Sequence, residues 1–193
     1  MIAVHKVGII LAVAIVASGA VAQVRQEQPA SALKGHNTNA PVDVQADRIE
    51  VQDRADRAVF TGNVHVVQTD MTMDTPRLTV AYTNAQGGAG NPQIQRLDAS
   101  GGVVVKSPSE TAKGDFGIYD LNRKLITLIG NVQLNREQNQ VNGSRLVIDL
   151  NSGRAVVDGG PPGVNSSGGR VSGHFIVPQK QQSQQQPQQA VTR

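Results

Sequence analysis

The feature that most limits the fold of this chain is a sentence written twice. Residues 127–150 read TLIGNVQLNREQNQVNGSRLVIDL. Moved back by 68 residues without a gap, the stretch falls on residues 59–82, VFTGNVHVVQTDMTMDTPRLTVAY. Gly62-Asn63-Val64 then overlies Gly130-Asn131-Val132, and Arg77-Leu78-Thr79-Val80 overlies Arg145-Leu146-Val147-Ile148. A finer interval lies inside this one. Gly101, Gly130 and Gly159 follow each other at 29 residues, as do Gly114 and Gly143, and Arg48 and Arg77. Gly62 and Gly101 stand 39 apart, and the glycine-rich ten-residue stretch 83–92 accounts for the excess. Within each copy the apolar residues alternate with polar ones, the period of a β-strand with one buried face. A repeat of this length is a unit that cannot bury its apolar face alone, so copies stack and share one seam. The glycines mark places where a strand kinks or where backbones approach closely. The chain is therefore expected to be all-β.

The ends of the chain read differently. Residues 7–17 form an apolar run of eleven broken only by Gly8, followed by Ser18-Gly19-Ala20-Val21-Ala22. The run is too short to span a bilayer, which needs about 20 residues. Small residues at Ala20 and Ala22 make residues 1–22 a signal peptide cleaved before Gln23. Residues 23–40 are polar and read as a flexible lead-in, residues 41–178 as the β domain, and the glutamine-rich residues 179–193 as a disordered tail. The chain has no cysteine, so no disulfide supports it and its core must carry stability. Eighteen basic residues stand against fifteen acidic ones, and Lys6 leaves with the leader. An excess this small, with no tryptophan and five other aromatic residues, argues against nucleic acid as a partner.

One inward set runs through the copies: Ile49, Val51, Phe60, Val64, Val66, Leu78, Val80, Val103, Val105, Leu128, Val132, Leu134, Leu146 and Ile148. Gln, Thr, Asn, Asp, Arg and Lys make up most of the outward set. In a closed sandwich the inward set is core; in an open one, part of it lines a groove. Periodicity does not separate the two.

Catalytic constellations are missing from the pattern. His36 lies in the lead-in, His65 on an outer strand face and His174 in the last strand, with no His-x-x-x-His pair. No Gly-x-Ser-x-Gly elbow occurs, and the glycines at 87, 88 and 90 precede no Gly-Lys-Ser/Thr. No enzyme, metal or cofactor is expected. Arg48, Arg77 and Arg145 hold equivalent repeat positions. They are either surface charges that mark register or a basic rim whose guanidinium forks suit phosphate.

The order of these pieces resembles a known family. Pro41-Val42-x-Val44-x-Ala46-Asp47-Arg48-Ile49-Glu50-Val51, then Phe60-Thr61-Gly62-Asn63-Val64, then Gly130-Asn131-Val132, each Gly-Asn-Val strand followed by an Arg-Leu-x-Val/Ile strand, is similar to the OstA-like LptA family over about residues 42–160. The resemblance implies a slightly twisted β-jellyroll of antiparallel strands, open at both ends. It implies a place in the periplasm and the carriage of lipopolysaccharide from LptC at the inner membrane to LptD–LptE at the outer membrane. It also implies head-to-tail stacking of protomers, with lipid A acyl chains held in the apolar interior and no chemistry catalysed. On this reading the inward set lines a lipid path, and the strands near residues 42–51 and 171–177 are the joints.

Other readings compete. An LptC-like component of the same pathway shares the fold but typically keeps its N-terminal anchor. A structural β-solenoid scaffold would have the same stripe as a dry core. A carbohydrate-active repeat protein would need the exposed aromatics and clustered carboxylates that this sequence lacks.

Overall fold

The computed structural model describes residues 33–83, 92–160 and 169–176. The expected leader, the greater part of the 83–92 stretch and the tail lie outside the described residues. Ten strands occur among the described residues: β1 Asp43–Gln45, β2 Arg48–Gln52, β3 Arg57–Gln68, β4 Met71–Thr83, β5 Gln93–Lys106, β6 Glu110–Asp120, β7 Leu125–Arg136, β8 Asn139–Asp149, β9 Arg154–Asp158 and β10 Ser172–His174. A single 3₁₀ turn, Asp53–Ala55, joins β2 to β3, and the described residues contain no α-helix.

All ten strands belong to one sheet. Strands β3 to β8 form an antiparallel meander in chain order. At one edge β1 and β2 pair with the two halves of β3. At the other edge β10 and β9 pair with the two halves of β8. The sheet thus has eight rungs, and the first and last are interrupted in the middle. The 29-residue interval is one hairpin of this meander, two rungs long.

A line of irregular register crosses the sheet and explains the glycines. Pairing skips between Thr61 and Val64 in β3, between Ser100 and Val103 in β5, and between Ile129 and Val132 in β7. Two residues of these strands, Gly62-Asn63, Gly101-Gly102 and Gly130-Asn131, there stand against one of the neighbour, the geometry of a β-bulge. All six have positive φ, from 43° at Asn131 to 100° at Gly102. Glycine adopts that conformation without strain, and asparagine tolerates it better than most residues. The clamp itself is repeated. Asn63 Nδ2 donates to Asp47 Oδ2 at 2.9 Å, and Asn131 Nδ2 donates to Asp115 Oδ2 at 2.8 Å. Aligned bulges bend every rung at the same level, because a bulge kinks its strand and increases its twist.

The bend brings the two ends of the strands together. One margin, or lip, of the sheet follows the row Arg57, Ala81, Arg96, Asp120, Leu125, Asp149. The other lip carries Gln68 and Met71, then Glu110, Arg136 and Asn139. Tyr119, one residue in from the first lip, donates its hydroxyl to Gln68 Oε1 on the second at 2.8 Å. The sheet is a folded trough around one apolar interior, unclosed between its first and last rungs.

Residues 33–40, read as flexible from their composition, pack onto this trough. Leu33 is 3% exposed and belongs to the apolar core. The glutamines, asparagines and glycine of the lead-in obscure this one leucine, whose burial depends on contacts far away in sequence.

Candidate functional site

Register assigns the interior residue by residue, since directly paired residues share a face. One row crosses all eight rungs as Ile49, Phe60, Leu78, Ala99, Gly117, Leu128, Leu146 and Val157. A second runs Val51, Ala58, Val80, Leu97, Tyr119, Ile126, Ile148 and Ala155. Beyond the bend a third runs Val44, Val66, Met73, Val105, Ala112, Leu134 and Val141. At about 4.8 Å per rung, each complete row makes an apolar strip about 34 Å long. The first contains no polar side chain. The second contains one, the Tyr119 hydroxyl, which burial holds well above its ordinary titration range and which Gln68 satisfies.

Eleven of the fourteen expected inward residues are buried here: Val64, Val66, Leu78, Val80, Val103, Val105, Leu128, Val132, Leu134, Leu146 and Ile148. Phe60 is partly buried against the same cluster. Ile49 and Val51 differ. They face the interior, as their pairing with Phe60 and Ala58 requires, but remain 56% and 57% exposed. They sit on the first rung, which has a neighbouring strand on one side only. The interior therefore shows its apolar surface at this end of the trough. At the other end Phe175 and Ile176, just past β10, are exposed as well.

Sequence reading missed Leu97, Tyr119, Ile126, Met71, Met73 and Leu150, each 1% exposed or less. Their signal was present. Met71 and Met73 alternate with Thr72 and Asp74, and Leu97, Tyr119 and Ile126 lie in register with Val80 and Ile148.

Arg48, Arg77 and Arg145 lie in one cross-strand row, but on the outer face beside the bend rather than at a lip. Arg145 stands 3.9 Å from Asp158 and Arg48 3.7 Å from Glu50. The outer face also carries His65, Asp74 and Lys106. His65 Nδ1 lies 2.6 Å from Asp74 Oδ1, and Lys106 Nζ donates to Asp74 Oδ2 at 3.1 Å. The His65 contact, with help from Lys106 and against some burial, holds the Asp74 carboxyl below the usual range. Inside the second lip, Arg136 pairs with the buried Glu110, with 22% and 5% of their side chains exposed. Among the described residues no three His, Asp or Glu side chains gather as a metal site would require.

A bent, single-sheet trough with an apolar interior can be compared with known proteins. The model of one family, "LptA/(LptD N-terminal domain) LPS transport protein", matches residues 43–154. The chain belongs to this LptA-like family. An uncharacterized protein of Rhizobium meliloti (strain 1021) is 33% identical over 167 residues, covering 83% of each chain. The crystal structure of LptH, described as the LptA-homologous periplasmic component of the lipopolysaccharide transport device of Pseudomonas aeruginosa, superposes with a TM-score of 0.63. That match covers 74% of this chain and 99% of LptH at 19% identity, and it identifies the fold as the LptA-like β-jellyroll. The family is one of transport components rather than of enzymes.

Proposed function

We propose that this LptA-like chain is an exported carrier that holds the acyl chains of lipopolysaccharide in its trough and hands them from the inner to the outer membrane. The observation that carries the reading is the row from Ile49 to Val157, unbroken by a polar side chain and apolar at the exposed first rung. Acyl chains ask only for low polarity along their length, at about 0.8 kcal/mol for each CH₂ removed from water. Leu78, Val80, Leu128, Leu146 and Ile148 supply it without hydrogen-bond obligations, while sugars and phosphates stay outside.

The first and last rungs suit the relay. β1 and β2 pair only with β3, and β9 and β10 only with β8, among the described residues. Their outer edges offer backbone donors and acceptors to a further copy of the chain, to an LptC-like donor or to an LptD-type acceptor by strand addition. Cleavage before Gln23 would release the chain into the periplasm, with the glutamine-rich residues 179–193 as an appendage to the β domain.

A second reading has one observation in its favour. Leu78, Leu97, Leu128 and Leu146 are completely buried, as the dry core of a scaffold would be. Photocrosslinkers placed singly at Phe60, Val80, Val105 and Leu128 separate the two. The carrier predicts crosslinks to lipopolysaccharide in the envelope from at least one of the four positions. Silence at all four, in variants that fold, selects the scaffold.

A further inference from the structure

Residues 33–40 join the two lips of the trough. At one end the Gly35 N–H donates to the Leu150 carbonyl at 3.0 Å, and the Leu150 N–H donates to the Lys124 carbonyl at 3.0 Å. Both Leu150 and Lys124 belong to turns on the first lip. At the other end Gln68, on the second lip and 1% exposed, donates from Nε2 to the carbonyls of Thr38 at 3.2 Å and Ala40 at 2.9 Å. Its Oε1 accepts from Tyr119 and lies 3.1 Å from His36 Nε2. His36 Nδ1 stands 3.2 Å from Asp70 Oδ1 in the β3–β4 turn. One buried amide thus ties together both lips and the segment that crosses between them. The crossing runs lengthwise too, from the turn at Leu150 between the seventh and eighth rungs to the second rung at Gln68. Leu33, the one leucine between residues 23 and 40, is inserted into the core at the far end.

We propose that residues 33–40 are a displaceable strap over the long opening of the trough, and that an incoming acyl chain takes the place of Leu33. This rests on the acyl-chain reading of the interior. The centre of the interior is filled by side chains, so a guest must displace something or part the lips. The inner rungs are held by backbone ladders on both sides. The strap lies outside these ladders: its anchors include one backbone bond to the first lip, the Gln68 amide, and the contacts of His36 with Asp70 and Thr69. Its departure leaves every strand pairing of the sheet in place. Its departure also frees Gln68 from Thr38 and Ala40, loosening the join between the lips.

The chain contains no cysteine, so one introduced thiol reports the strap directly. Leu33→Cys and Thr38→Cys both bury their thiol, and Asn39→Cys, on an exposed residue, is the reference. In the lipid-free exported chain, maleimide labelling at positions 33 and 38 is expected at least tenfold slower than at 39. With purified lipopolysaccharide bound, as judged by co-elution, both should approach the rate at 39. Bound lipopolysaccharide with both thiols still protected overturns the strap while the interior reading stands. If the parent chain takes up no lipopolysaccharide, Leu33→Asp decides. Uptake by that variant, folded by circular dichroism, supports the strap as a closed gate, whereas failure of both chains overturns the strap and the carrier together.

Discussion

Substituting Gly130 by alanine tests whether the bend is a sterically required feature. Gly130 has φ +80°, a conformation that costs an L-residue about 1–2 kcal/mol. A Cβ built there would collide with Asp115 Oδ2 and stand 3.0 Å from both Cβ and Cγ of the same residue. Asp115 would have to swing away, giving up the bond from Asn131, worth about 1 kcal/mol. The expected loss is therefore about 2–3 kcal/mol. Gly102 provides the internal comparison. Its φ of +100° carries the strain, but nothing lies within 4 Å of an added Cβ, so Gly102→Ala should cost about 1–2 kcal/mol. Adding Asp115→Ala to Gly130→Ala removes the collision and should leave the pair less than additive. Urea unfolding followed by circular dichroism, with all variants sharing one m-value, measures each quantity. Equal losses for Gly130→Ala and Gly102→Ala would show that Asp115 yields freely and that the repeated clamp does not enforce the bend.

Further expectations follow from other parts of the chain. Intact-mass analysis of the protein recovered from an envelope fraction should begin at Gln23; a chain retaining residue 1 would refute cleavage. Stability should hold from neutral pH down to the ordinary carboxylate range, about pH 4, and fall below it. The Asp70, Asp74 and Asp149 carboxyls are all held low in the folded chain, so their contribution is full above the unfolded value and lost as pH drops through the folded ones. Partial burial pushes Asp70 up and contacts with His36 and Thr69 outweigh it; Asp149 is held down by the N–H groups of Ser152 and Asn151. Thermal melts from pH 7 to pH 3 check this, and Asp74→Asn should flatten the acid limb. Finally, Arg136→Met removes the ion-pair partner of the buried Glu110 carboxylate and should cost about 3 kcal/mol, much of it recovered in the double variant with Glu110→Gln. A double variant as unstable as the single one would contradict that assignment in denaturant titrations.

The copying of Gly-Asn-Val and Arg-Leu-x-Val/Ile at fixed intervals was enough to specify repeated β units and the level at which their strands kink. Alternation determines which way each side chain points relative to its strand neighbours, and glycine with asparagine at a recurrent position permits positive φ. Both are local properties. For that reason Leu78, Leu128, Leu146 and Ile148 were legible as one face before any strand was paired. What covers that face is not local. Ile49 and Val51 alternate as regularly as Leu146 and Ile148, yet they are exposed because the first rung has one neighbour instead of two. Leu33 has no period to announce it, and it is buried in a core built from strands distant in the chain. Gln68, an amide at the end of β3, becomes the buried link between both lips only when the aligned bulges fold the sheet over. Strand identity and facing follow from backbone geometry, which each short stretch of sequence contains. Closure depends on which distant surfaces meet, and only the folded chain brings them together.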